Sequence, residues 1–329
     1  MQQVPIYDIW RILSQPRVEA EAEIRACCKT AFLGDHEAIA RILGRYKIYV
    51  DTRDIGISSH LMMDGFWEMW VTEAMMKLVR RGSVVADIGA NLGYFTLLLA
   101  DLTGAEGRVL SFEPNPNLAS RLSKSIEING FKGFTDFYDI ALGAEEGMVT
   151  LEVSDHQPGG GRTHSKFDDG EEDEAPEAEP DGETDRDAGA SPRSRFLHFL
   201  FPEPHHLNES HKSVPKAGAA PVEGQIRVAR FDEIPHAMDV EFIKIDVEGF
   251  EPYVWQGMTK RLESDRPLTI FMEFTIDRFP DARGFLNEIT SRGFSLEIIT
   301  FNEGVKPVSP DELFAMPHDV DNMLVFRRE

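Results

Sequence analysis

"VVADIGANLGYFTLLLA", residues 84–100, reads as a buried strand, a glycine turn and an apolar helix. Lacking a Cβ, Gly89 takes backbone angles closed to other residues and lets a ligand approach the chain. Helix amides beginning near Asn91 favour a partly negative ligand group. The dinucleotide fingerprint G-x-G-x-x-G is absent. Here an acid, Asp87, precedes a Gly-x-x-x-Gly turn formed by Gly89 and Gly93. That acid repels a pyrophosphate and suits a ligand with an ammonium group. A plain structural corner of an α/β sheet is the competing reading.

Outward from this turn the chain alternates. "RVLSFEP" (108–114), "TDFYDIAL" (135–142) and "GMVTLEVSD" (147–155) read as extended pieces, the first leading into a helical stretch. After a gap come "QIRVARFDEI" (225–234), "VEFIKIDVEGFEPYVWQGM" (240–258), "LTIFMEF" (268–274), a helix near 281–292, "FSLEIITF" (294–301) and a closing "NMLVFRR" (322–328). Such alternation predicts an α/β fold, a mainly parallel sheet with helices on both faces. Upstream, residues 1–44 read as a helical extension. An extended piece and one amphipathic helix ending at Gly82 come next.

The chain has 329 residues, 42% of them hydrophobic, enough for a sizeable core. Cys27 and Cys28 are adjacent and read as reduced thiols on a helix. Charged residues interrupt the first 25 positions, and no apolar run has membrane-spanning length, so a cytoplasmic protein without a membrane span is expected. The net charge of −23 argues against a nucleic-acid partner. About half of it sits in "DDGEEDEAPEAEPDGETDRD" (168–187), with twelve acids and one arginine. Residues 157–222 therefore read as a flexible acidic insertion rather than a domain, with a basic protein as a conceivable partner.

In open α/β sheets ligands bind at the carboxyl ends of the strands, where strand order reverses. Four parallel-looking strands finish there in acid: Asp87, Glu113, Asp246 and Glu273. Glu113, one βα unit after the glycine turn, is placed to accept hydrogen bonds from both hydroxyls of a ribose. Lys244 and Asp246 fall on one strand face, and Glu248 and Glu251 follow at the helix start. Such a cluster suits a cationic ligand, a divalent metal or the activation of a hydroxyl. With no His or Cys beside Asp246, Glu248 and Glu273, base and hydrogen-bond roles are preferred and no metal site is assigned. Met62, Phe66, Trp67 and Trp70 could wall an acceptor, though at helical spacing they fit a plain core equally well.

At these residues the sequence resembles the FkbM-type methyltransferases. The resemblance covers about 45–155 and 225–329 and rests on "DGFWE" (with Gly65 and Glu68), "VVADIGANLGYFT", "SFEPNP", "DIALG", "ARFDEI", "FIKIDVEGFEPYVWQGM" and "FMEF". It implies a Rossmann-like class I methyltransferase domain over 45–329, a seven-stranded sheet whose last strand is antiparallel, and S-adenosylmethionine as cofactor. It also implies roles. Gly89, Ala90, Asn91 and Gly93 would pass under the methionine part, with Asp87 near its amino group. Glu113 would hold the ribose, Asn115 would line the same pocket, and Asp139 to Ala141 would border the adenine. Asp246 and Glu248 would lie near the reacting methyl.

The expected activity is O-methylation of a hydroxyl on a sugar or polyketide-like metabolite, a small-molecule or glycan acceptor. Asp246 or Glu248 is the expected general base, with Glu273 third and Lys244 orienting. Two alternatives stand beside it: a nicotinamide-dependent oxidoreductase, and a non-catalytic methyltransferase-like scaffold whose acidic insertion binds a partner.

Overall fold

The stretch 84–100 folds as a strand, Val84–Ile88, and a helix, Tyr94–Thr103. Left-handed backbone at Gly89 (φ 78°), Asn91 (φ 52°) and Gly93 (φ 94°) makes the turn between them. The computed structural model describes residues 6–153, 161–164 and 225–329. In chain order the elements begin with α1 (Arg11–Ser14), α2 (Arg17–Cys27), β1 (Thr30–Gly34), β2 (Glu37–Ile42), β3 (Tyr46–Asp51), α3 (Ile57–Met63) and α4 (Met69–Leu78). The opening strand and helix are β4 and α5. Then come β5 (Arg108–Phe112), α6 (Pro116–Ile128), β6 (Thr135–Tyr138), β7 (Ala141–Leu142), β8 (Gly147–Val153), β9 (Gly161–His164) and β10 (Gln225–Ala229). The chain closes through β11 (Val240–Ile245), α7 (Glu251–Gly257), α8 (Thr259–Glu263), β12 (Leu268–Phe274), α9 (Ala282–Ser291), β13 (Ser295–Thr300), β14 (Gly304–Pro307), α10 (Pro310–Phe314) and β15 (Asn322–Arg328).

The central sheet has the order β14-β13-β15-β12-β11-β4-β5-β6. Strands β6, β5, β4, β11 and β12 are parallel, and β15 runs antiparallel to β12 as expected of the last strand. Among the described residues the expected seven strands are eight. Gly304 (φ 72°) turns the chain after β13, and β14 returns antiparallel along the sheet edge, where Pro307 costs no ladder bond. The chain leaves β4 in one direction through β5 and β6 and in the other through β11 and β12. The switch point, and with it the binding crevice, lies between β4 and β11.

Alternate strand residues face two cores. Val85, Val109, Phe242 and Phe271 pack with α4 and α5, whereas Ala86, Leu110, Ile243 and Ile270 pack with Trp255, Leu262 and Leu286 of α7, α8 and α9. Burial on both faces explains why these strands read as continuous apolar runs.

Three expectations are corrected. The helical extension ends at Cys27. The next stretch is a three-stranded antiparallel sheet, β1-β2-β3, because Asp35 (φ 46°) and His36 (φ 63°) turn the chain into a hairpin and "EAIARI" alternates in burial with period two. A boundary at residue 44 would cut the β2–β3 pairing. Ile12, Ile24, Ile42 and Ile48 instead belong to the same core as α4 and α5, and side chains of α6 and its C-cap accept from β3 amides, Ser125 from Tyr49 (2.9 Å) and Asn129 from Lys47 (3.0 Å). Second, the single helix expected before Gly82 is two, α3 and α4, broken where Gly65 (φ 77°) and Glu68 (φ 37°) are left-handed. Third, Gly161–His164, expected inside the insertion, is the strand β9, antiparallel to β8 in a small sheet of order β7-β10-β8-β9. The acidic run and the partner expected for it lie outside the described residues.

Candidate active site

A cavity of about 290 Å³ opens at the switch point. Of the residues singled out in the sequence, it is lined by Gly89, Ala90, Asn91, Glu113, Asn115, Ala141, Lys244, Asp246, Glu248 and Glu273. Asp87, Gly93 and Asp139 are not among its lining residues. Asp87 is fully buried on the α5 side of β4, where Thr96 donates to it at 2.6 Å. It therefore sits behind the turn, outside the lining of the cavity. The missing side chain of Gly93 faces Leu122, and Asp139 is exposed to solvent. Gly89 is where two chain crossings meet: a Cβ there would lie 1.8 Å from the Asp246 carbonyl oxygen.

One end of the cavity sets a buried acid among apolar walls. Glu113, 6% exposed, accepts from the Asn91 amide through Oε2 and from the Asn115 amide through Oε1, both at 2.8 Å. Burial pushes its carboxyl up to about 7 against the pull of those amides. Asn115 caps α6 by accepting from the Asn117 amide at 3.0 Å, with Pro116 at the first helical position. The walls here are apolar: Phe112, Leu118, Ile140 and Leu142, with Phe112 stacked on Tyr138 at 5.0 Å between ring centroids.

The other end is acidic. Lys244 is paired in register with Asp87 across β11 and β4, which puts its ammonium 3.9 Å from Asp87 and 3.0 Å from Asp246. Burial works against that ammonium, yet the charges of Asp246 and Asp87 outweigh it and hold Lys244 protonated. Arg278, which the sequence reading passed over, bonds Glu273 at 2.6 Å and reaches Glu248 at 3.2 Å and Asp321 at 3.3 Å. Burial pushes Glu273 well above the usual carboxylate range, helped by the charges of Asp246 and Glu248 and opposed by Arg278. The sequence offered a faint signal for Arg278, a lone cation five residues after an acidic strand end. Among the described residues, no group of three or more His, Cys, Asp or Glu is placed to hold a metal ion.

Glu68 is the second residue the sequence reading left without a role, although "DGFWE" had been marked. It lines the cavity beside Trp67, while Met62, Phe66 and Trp70 pack against the core. Burial pushes its carboxyl from 4.5 up to about 7, with the charges of Asp246 and Asp321 adding to the rise and Lys244 opposing it. A carboxyl raised on folding favours the folded state while protonated, so its contribution is lost as pH rises from the unfolded to the folded value. Glu68→Gln is therefore expected to be more stable than the parent by up to about 3 kcal/mol at about pH 8, with no difference near pH 4. Urea unfolding at the two pH values checks this, and equal stability at both removes the argument.

Fold and cavity together place an apolar pocket around a buried acid, next to an acidic wall, at the switch point of an α/β sheet. The chain belongs to the FkbM methyltransferases: the methyltransferase FkbM domain matches residues 87–296, more than half of its length. Membership sets aside the oxidoreductase alternative. A protein-L-isoaspartate O-methyltransferase of Ignicoccus hospitalis is 35% identical over 57 residues, 17% of this chain and 27% of that protein. The chain thus matches about a quarter of that curated relative's length. Among solved structures, the methyltransferase FkbM of Methylobacillus flagellatus aligns at 15% identity over 77% of this chain and 45% of that one, with a TM-score of 0.40. A SAM-dependent O-methyltransferase of Thermotoga maritima aligns at 13% identity over 88% and 77%, with a TM-score of 0.39. The cofactor is S-adenosylmethionine. The residues present fit it, with apolar walls for a base, a buried acid for a ribose and carboxylates for a sulfonium and an ammonium. Among the described residues no helix is long and apolar enough to cross a membrane.

Proposed function

We propose that the chain methylates a hydroxyl of an uncharged, polyhydroxylated small molecule, a sugar or a polyketide-like metabolite. The observation that carries this reading is the balance of charge at the acidic end. Among the described residues, the two cations there, Lys244 and Arg278, are engaged with carboxylates, and Asp246, Glu248, Glu273 and Asp321 remain as hydrogen-bond acceptors. Such a wall repels phosphate and binds hydroxyl groups.

Bound S-adenosylmethionine would supply an electrophilic methyl group for in-line displacement, so positioning of the acceptor contributes most of the rate. Glu113 would hold the ribose hydroxyls, with Asn91 and Asn115 beside it, and Ala90 and Ala141 would line the pocket. Asp246, fixed by Lys244, would orient the acceptor, and the Arg278-bound Glu273 and Glu248 would form its outer rim. Lys244 in turn is held from behind by Asp87.

The test has two parts. Calorimetry should show binding of S-adenosylmethionine, and a host metabolite extract incubated with the methyl-labelled cofactor should yield a labelled methyl ether. Asp246→Asn is expected to lower that transfer about 100-fold, the cost of a misplaced acceptor. A labelled N-methyl product would overturn the hydroxyl assignment. No binding of the cofactor would overturn the whole reading.

A further inference from the structure

The left-handed residue between α3 and α4 carries a carboxylate unlike the others in the cavity. Asp246 bonds Lys244, and Glu273 and Glu248 reach Arg278. Asp321 accepts from Thr275 at 2.6 Å, Glu113 accepts from two backbone amides, and Asp54 accepts from those of Gly56 and Ser58. Among the described residues, Glu68 alone of the cavity's acids makes neither a hydrogen bond nor an ion pair. It stands at the N-cap of α4, where its carbonyl accepts from Val71 and Thr72, yet its carboxylate leaves the cap unmade.

The backbone that produces this is costly and well anchored. A φ of 37° is uncommon for a residue with a Cβ and persists only where the surroundings over-determine it. Here they do. Met69 and Val71 are buried, and the Thr72 hydroxyl, 3.0 Å from the buried Tyr94 hydroxyl, ties α4 to α5. At Gly65 the turn is pinned by the Leu43 amide at 2.7 Å, and a Cβ there would meet Cys28 at 3.0 Å. A strained turn that delivers one uncommitted carboxylate into the cleft is a device for function and not for stability.

We infer that Glu68 is the general base of the methyl transfer, a proposal that rests on the hydroxyl-acceptor reading above. The acceptor oxygen forms its bond to the methyl carbon as the carbon–sulfur bond breaks and its electron pair returns to sulfur. The hydroxyl proton passes to a Glu68 oxygen, leaving a neutral carboxylic acid that loses the proton to water after product departs. The committed acids are poorer choices, because taking the proton would cost each of them a bond to Lys244, Arg278 or an amide. The charged and titratable groups facing Glu68 are Asp246 and Lys244 from β11 and its loop, Asp321 ahead of β15 and Tyr94 of α5. With burial they bring it to about 7, where it is both ionised enough and basic enough to act near neutral pH.

The experiment compares the parent with Glu68→Gln and Glu68→Asp in labelled methyl transfer to the acceptor fraction of the extract, with cofactor affinity measured by calorimetry. Glu68→Gln should lower turnover by at least about 100-fold with cofactor affinity within about threefold, and Glu68→Asp should recover part of the loss. The parent's rate should rise through about pH 7, and that limb should vanish in Glu68→Gln. Turnover within a few-fold of the parent in Glu68→Gln overturns the inference and leaves the O-methylation reading standing. So does loss of cofactor binding in that variant, which would make Glu68 a cofactor contact. A parent that binds the cofactor but makes no ether fails the O-methylation reading first, and the inference with it.

Discussion

Gly89→Ala is expected to lower S-adenosylmethionine affinity by more than about 100-fold and stability by roughly 2–6 kcal/mol, summing left-handed strain with overpacking. The added Cβ would lie 1.8 Å from the Asp246 carbonyl oxygen and 2.8 Å from its carbonyl carbon. Neither atom is the end of a flexible side chain. The β4–α5 turn and the β11–α7 loop must therefore separate, breaking the hydrogen bond from the Asp246 amide to the Ile88 carbonyl (3.1 Å). The same movement displaces Asn91 from Glu113 and Asp246 from Lys244, the contacts that shape the two ends of the cavity. Gly93→Ala is the informative contrast. It is also left-handed, but its Cβ would meet the Leu122 Cδ1 methyl at 2.3 Å, which a rotamer change can move. It should cost stability but retain measurable binding. Calorimetric titration with the cofactor and urea unfolding of both variants check the pair. Normal binding by Gly89→Ala would mean that the crossing of the two loops does not shape the pocket.

The parallel strands were legible because burial on both faces leaves an apolar run closed by a turn residue, a pattern that depends on few distant contacts. Most of the cavity was legible for a related reason. A doubly wound sheet brings its strand ends together whatever the loops do, so Glu113, Asp246 and Glu273 converge as their positions in sequence imply. What periodicity could not supply is which way a side chain turns at the end of a strand. Asp87 and Glu113 both read as strand-end acids, but Asp87 is the fourth residue of β4 and faces α5, whereas Glu113 lies one residue beyond β5 and enters the cavity. Residues 28–44 were misread because "EAIARI" suits a helix by propensity, and only its pairing with β3 selects the strand. Glu68 and Arg278 were missed for a different reason. Both act through irregular backbone, a left-handed break in one case and a short turn after β12 in the other, and neither leaves a periodic trace.

Lys244→Met should destabilise the fold by about 3–5 kcal/mol, the range for removing one partner of a buried ion pair. Lys244 is 2% exposed, its ammonium lies 5.2 Å from the Phe95 ring, and methionine fills nearly the same space, so lost packing contributes little. The cost falls on the acids left behind. Asp87 has no exposure, and among the described residues Oδ1 has no hydrogen-bond partner, so Lys244 at 3.9 Å is its counter-charge. Burial already pushes Asp87 above the ordinary carboxylate range with the lysine present, and without it the rise must be larger. For a carboxyl raised on folding, stability falls as pH rises through the folded value, so the deficit of Lys244→Met should be largest at alkaline pH and shrink on acidification. The double variant Lys244→Met, Asp87→Asn separates this account from a packing effect. If an uncompensated carboxylate is responsible, the second substitution should restore much of the lost stability and flatten its pH dependence, since Asp246 borders the open cavity and can be solvated. Additive losses in urea unfolding at about pH 6 and about pH 9 would instead assign the cost to packing around Phe95.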